Sequence, residues 1–219
     1  MAEDPKTTYI LLARHPETEA NLERRFLGIG DSPYTKKGLE QRDQLVDCIV
    51  AWKPDRILAS PRRRALEVAQ MAADRTRADL RPREGIAEVD FGPAEGLTYD
   101  EIVRKGINMD YLGGPADRSP YGAGEGWPAF SKRVVEVGDE AVARPGRVAI
   151  VAHGGVVRAL LVHWMEMQPT AAWHFVIPNA SITTGRFVEN YFMLEAYGMH
   201  PHACDWSPRQ DTLAAAAEE

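Results

Sequence analysis

The chain has 219 residues, a formal net charge of −6 and 44% hydrophobic residues. That length suits one sizeable domain and is short for two. The acidic balance gives no overall basic field to draw the protein to nucleic acid or to an anionic membrane. The two cysteines, Cys48 and Cys204, make no disulfide framework. No stretch approaches the roughly 20 apolar residues of a membrane helix, and the polar start lacks the basic, then apolar pattern of a signal peptide. A cytoplasmic protein is expected, with neither nucleic acid nor membrane as partner. Oligomeric state is left open, a homodimer being one option.

In chain order, residues 9–13 (Tyr-Ile-Leu-Leu-Ala) form an apolar run that suits a strand buried on both faces. It ends in Arg14-His15. A polar loop over 19–34 follows, with Gly28, Gly30 and Pro33 as breakers. Helical spacing over 35–52 puts Leu39, Val46, Ile49 and Trp52 on one side, and Pro54 stops it. Residues 56–59 read as a short strand. Ser60-Pro61 is a helix start, with Ser60 as N-cap and Pro61 at the first helical position, and the helix runs to about 74. Residues 80–83 read as a third strand. The loop over 85–97 carries Glu88, Asp90 and Glu95. Gly and Pro accumulate across about 97–128, which reads as a lid insertion over one end of the sheet. A helix over 128–143 leads into a second buried strand, 148–152, closed by His153-Gly154-Gly155. A helix over 154–165 follows, then a hairpin from 180–187 and 191–196 at one sheet edge. Residues 207–219 read as a disordered tail.

Strands alternating with helices predict an α/β fold: a three-layer α/β/α sandwich around a mostly parallel sheet with an antiparallel edge strand. One domain is expected over 1–206. In such sheets ligands bind at the carboxyl ends of the strands. Two strands that deliver His15 and His153 to that edge, one beside Arg14, point to an anion site. Arg62, Arg63 and Arg64 lie at another strand-to-helix junction. Phosphoryl transfer needs a nucleophile, cations on the equatorial oxygens and an acid for the leaving oxygen. His15 fits the nucleophile, since nearby arginines would keep it neutral. Gly154 would allow close backbone approach at a helix start that offers N–H groups to an anion. Glu88, Asp90 and Glu95 are all candidate acids, and spacing does not choose among them. No convincing metal cluster or nucleotide loop is present, so no metal and no cofactor is expected. His200-x-His202-x-Cys204 invites a metal reading, but lacks an acidic partner.

These blocks resemble the histidine phosphatase superfamily, with its phosphoglycerate mutase-like fold. The first block is Arg14-His15-Pro16-Glu17-Thr18 with Asn21, Gly28, Asp31, Thr35 and Gly38. The second is Ser60 to Arg64-Ala65. The third is Glu88 to Gly92 with Glu95-Gly96, and the last is 151–155. The resemblance spans roughly residues 8–200. It implies that His15 forms a phosphohistidine, that Arg14, Arg64 and His153 hold the phosphate with Asn21 assisting, and that Glu88 donates the proton to the leaving group. Pro16 stands where the family usually has Gly, which removes one N–H.

Arg24 and Arg25 are candidates for substrate specificity, whereas Arg62 and Arg63 read as solvated surface. His163 and His174 are assigned to helix surface and core edge. The activity expected is a metal-independent phosphomonoesterase acting on a small phosphorylated metabolite. Two alternatives stand beside it. One is a phosphoglycerate-type mutase, disfavoured by the modest insertion, because transfer requires water to be excluded. The other is a catalytically weak member that binds phosphorylated ligands.

Overall fold

The computed structural model describes residues 7–107, 124–204 and 206. Among them, six strands form one sheet: β1 (Thr8–Arg14), β2 (Arg56–Ala59), β3 (Asp79–Pro82), β4 (Gly146–Ala152), β5 (Ile182–Val188) and β6 (Tyr191–Met199), in the order β3-β2-β4-β1-β5-β6. β3, β2, β4 and β1 pair in parallel, and β5 runs antiparallel between β1 and β6. The expected hairpin therefore closes one edge of the sheet. Its reversed strand lies second from the edge, and β6 is outermost.

The helices of the described residues are α1 (Glu19–Leu22), α2 (Lys36–Trp52), α3 (Arg63–Thr76), α4 (Tyr99–Arg104), α5 (Trp127–Val142) and α6 (Gly154–Trp164). Alternation along the central strands sorts the core into two layers. Leu11, Ala13, Ile57 and Val151 pack against Leu45, Ile49, Val68 and Ala69 of α2 and α3. Ile10, Leu12, Leu58 and Ile150 pack against Phe130, Val134 and Leu160 of α5 and α6. The three layers expected from the sequence are present.

Four local expectations fail. The loop over 19–34 opens with α1, whose N-cap Thr18 shares a capping box with Asn21. Leu39, expected on the buried side of α2, is 43% exposed. The helix after β2 starts at Arg63, with Arg62 as N-cap and no side-chain cap. Ser60 caps nothing because its hydroxyl is committed inside the protein, as shown below. His174, expected at the core edge, is exposed. Of the expected lid insertion, α4 and the start of α5 are ordered helix, and residues 108–123 lie outside the described residues, as does 207–219. Cys204 packs against the cluster that contains Cys48, and both thiols are free.

Candidate active site

β1 and β4 pair in parallel with Ala13 opposite Val151 and Arg14 opposite Ala152. One step further along this register, His15 meets His153. His15 N–H donates to the Ala152 carbonyl at 3.0 Å, and the imidazole centroids stand 5.2 Å apart at 61°. That separation is close to the spacing of neighbouring strands. Both rings are buried.

His15 Nδ1 lies 2.7 Å from the Pro16 carbonyl oxygen. A carbonyl only accepts, so Nδ1 carries the hydrogen and Nε2 keeps its lone pair. Pro16 costs the turn an N–H but supplies the oxygen that sets this tautomer. His153 Nε2 lies 2.7 Å from Ser60 Oγ. Ser60 Oγ also accepts from Arg62 N–H at 3.2 Å, and its own hydrogen finds no acceptor but Nε2 among the described residues. The proton then resides on Nδ1 of His153, which is buried with no hydrogen-bond partner among the described residues.

Burial, and then the Arg14 and Arg64 charges, hold His15 well below the usual histidine range, against the opposing Pro16 bond. Burial and then Arg64 do the same for His153. Both rings stay neutral in the folded state, whereas the unfolded chain protonates them below about pH 6.5. The unfolded state then binds more protons, so stability falls as pH drops through that value. The expected loss is about 1.4 kcal/mol per pH unit per histidine below about pH 6. Denaturant titrations from about pH 7.5 to 5 test this; a His15→Asn, His153→Gln double variant should flatten the dependence.

Arg14 donates through Nη1 to the Ile177 carbonyl, while its Nε is buried without a partner among the described residues. Burial lowers its pKa to about 10, partly offset by Glu88. Arg64 is differently placed. Its Nη1 donates to Gly30 O at 2.6 Å and to Asp31 Oδ1 at 3.2 Å. Its Nη2 donates to Leu27 O at 3.1 Å and Gly28 O at 2.9 Å. This guanidinium, beside both rings electrostatically, holds the 27–31 loop rather than presenting an open fork. Gly28 is required there, because a Cβ would stand 1.8 Å from the Val89 carbonyl oxygen.

The three candidate acids separate cleanly. Glu95 accepts from Gly28 N–H and Gly30 N–H at 2.9–3.1 Å, so it clasps the same loop. Asp90 accepts from Gly92 N–H at 2.8 Å and closes a turn. Glu88 alone reaches the histidines' neighbourhood: Oε2 accepts from Gly155 N–H at 3.2 Å, in the first turn of α6. A Cβ at position 155 would lie 2.4 Å from Glu88 Oε1. Gly155, more than Gly154, is the glycine this site requires. At Gly154 a Cβ would meet Arg14 and Arg158 at an ordinary 3.6 Å, in the space between the two guanidinium groups.

The remaining sequence candidates divide. Asn21 Oδ1 is occupied by Thr18 N–H, Thr18 Oγ1 and Asn179 Nδ2, all within 3.1 Å. Arg25 is committed to Glu23, Gly96 O and Glu101, which ties the segment after α1 to α4, so its expected part in substrate binding finds no support. Arg24 is exposed and makes no hydrogen bond to the site among the described residues. Arg62, expected to be solvated surface, has a side chain only 27% exposed. His200 and His202 stack at 5.6 Å, and no group of three His, Cys, Asp or Glu that could hold a metal occurs among the described residues. Two residues of the site were given no part in it by the sequence reading. Ser60 touches His153, and Asn179 Nδ2 bridges Asn21 Oδ1 and the carbonyls of His15 and Pro16. Asn179 gives no signal in the sequence, since only the fold brings the segment before β5 to the end of β1.

The carboxyl edge of this α/β sheet thus carries two neutral histidines among arginines. The chain belongs to the histidine phosphatase superfamily: residues 10–200 match the model of its branch 1. It is 26% identical to the uncharacterized phosphatase PhoE of Bacillus subtilis, over 89% of this chain and 96% of that protein. It is also 26% identical to the 2,3-bisphosphoglycerate-dependent phosphoglycerate mutase of Thermoplasma acidophilum, over 79% and 84%. Among solved structures it resembles a mutant phosphoserine phosphatase from Entamoeba histolytica in complex with phosphoserine. That match has a TM-score of 0.75 and 27% identity, covering 90% of this chain and 100% of that one. No helix among the described residues is long and apolar enough to cross a membrane.

Proposed function

We propose that the protein is a phosphomonoesterase that works through a phosphohistidine on His15. The observation that carries this reading is the facing pair of neutral imidazoles. Beside it, two buried donors, Arg14 Nε and His153 Nδ1–H, have no protein acceptor among the described residues. An unpaired buried donor costs about 1–3 kcal/mol, and a phosphate has oxygens enough to supply an acceptor to each. In this mechanism His15 Nε2 attacks phosphorus as the ester P–O bond breaks. The Glu88 carboxyl delivers its proton to the leaving oxygen. The resulting carboxylate then takes a proton from the water that attacks the phosphohistidine, which releases phosphate and restores His15. Arg64 adds charge and holds the 27–31 loop. Asn21 and Asn179 fix the turn after β1.

Relatives of this chain include both phosphatases and a mutase. Hydrolysis is the reading adopted here. The test is phosphate release from 4-nitrophenyl phosphate in the presence of a chelator, with competitive inhibition by vanadate. Isomer formation that depends on a bisphosphate primer, without phosphate release, would replace this reading with the mutase.

Two further variants probe the arrangement. Ser60→Ala removes the partner of His153 Nε2 and lets the proton shift off Nδ1. A fall in kcat of roughly tenfold, the worth of about one hydrogen bond, is expected in the same assay. Gly155→Ala should fold, because the atom it strikes first is the movable end of Glu88. It should still lose about 10²-fold in kcat, as misplacement of a catalytic group by an ångström does. Circular dichroism melts separate that loss from unfolding.

A further inference from the structure

Arg158 lies in α6, one turn after Gly154, and is half-buried. A helical side chain leans back toward the N-terminus, so this one lies over the first turn, next to His153. Its Nε donates to the Phe175 carbonyl at 2.9 Å, and its guanidinium stands 5.5 Å from the centre of the Trp173 ring. Arg14 Nη1 donates to the Ile177 carbonyl, two residues further along the same segment. One carbonyl thus anchors each guanidinium. Arg14 Nε and Arg158 Nη1 make no hydrogen bond among the described residues. These two free donors converge, since a Cβ on Gly154 would stand 3.6 Å from each.

The charges agree with the geometry. Arg62, Arg64 and Arg133 face carboxylates, of Glu84, Asp31 and Glu125. Neither Arg14 nor Arg158 forms an ion pair among the described residues. Burial first, and then Arg158 and Arg64, lower the pKa of Arg14 against the pull of Glu88. Two cations side by side without a carboxylate repel each other, and an anion between them relieves the repulsion and accepts from both. Glycine at 154 leaves the space between them open. A transferring phosphoryl group spreads its charge over three equatorial oxygens, which one arginine does not cover. We infer that Arg158 is a second cationic ligand of the phosphoryl group, which it and Arg14 hold together in the space over Gly154.

This inference rests on the phosphomonoesterase reading for the identity of the anion, but its test does not need turnover. Inorganic phosphate is titrated calorimetrically into the wild type, Arg158→Gln, Arg158→Lys and Gly154→Ala. kcat and KM for 4-nitrophenyl phosphate and melting temperatures are measured beside it. Glutamine can still donate to Phe175 O but carries no charge. Arg158→Gln should weaken phosphate binding about 10- to 100-fold, the worth of a hydrogen bond to a charged group. Arg158→Lys should recover part of the affinity, as a point charge without the fork does. Gly154→Ala meets the protein only at ordinary contact distance, so it should melt no lower than the wild type and yet bind phosphate more weakly. Unchanged phosphate affinity in Arg158→Gln overturns the assignment. So do equal losses in the glutamine and lysine variants with lowered melting temperatures, which would make Arg158 only the anchor of the 175–177 segment. If Arg158→Gln does not fold, Gly154→Ala decides, and wild-type affinity there overturns the assignment. If phosphate binding follows the expected pattern but the wild type releases no phosphate from the ester, the phosphomonoesterase reading falls and the anion-binding role of Arg158 stands.

Discussion

His15→Ala should lower phosphate release by at least about 10⁴-fold, the scale seen when a nucleophile is removed from a site whose other parts remain. The reason is geometric. Nδ1 of His15 is spent on the Pro16 carbonyl, so the ring has one free nitrogen, Nε2, and the ring itself stands 5.2 Å from that of His153. Nothing else among the described residues of the site offers a neutral nucleophile there. The control is His15→Asn, whose side-chain amide can donate to Pro16 O and keep the turn. It should fold like the wild type and be as inactive as the alanine variant. Substrate labelled in its phosphate should leave an acid-labile, base-stable label on the wild type and none on either variant. Phosphate release near the wild-type rate from either protein would remove His15 from the mechanism.

Glu88→Gln should lower kcat by about 10²–10⁴-fold on an alkyl phosphate, the range general acid catalysis supplies. The loss should be much smaller on 4-nitrophenyl phosphate, whose leaving group departs without a proton. The substitution keeps the shape of the side chain and leaves one oxygen to accept from the Val89 or Gly155 N–H. A dependence of the loss on the leaving group is the signature sought. An equal loss on both substrates would make Glu88 a positioning residue, acting through the first turn of α6.

Legibility in the sequence follows the range over which each interaction acts. The apolar runs that become β1 and β4 are readable because a strand buried on both faces must be apolar at every position. Their terminal histidines are readable as a pair for the same reason, since two buried strands that end alike bring their next residues to one edge. The acids are not separable. Glu88, Asp90 and Glu95 lie close together in the chain, and each ends on a different backbone N–H: Gly155, Gly92 and the 28–30 loop. Ser60 misleads because a serine before a proline has a strong local use as a helix cap. A histidine 93 residues away claims its hydroxyl instead. Arg62 reads as surface since a charged residue in a charged run usually is.

Periodicity and motifs whose parts lie close in the chain were enough for the layered α/β class and for the meeting of His15 and His153 at one sheet edge. Three-dimensional packing was needed for the rest: which carboxylate comes near the histidines, which tautomer each ring holds, and that Arg64 grips a loop. Those outcomes rest on hydrogen bonds between segments far apart in the chain. Such bonds form only where the packed sheet brings particular donors and acceptors within about 3 Å and excludes water from between them.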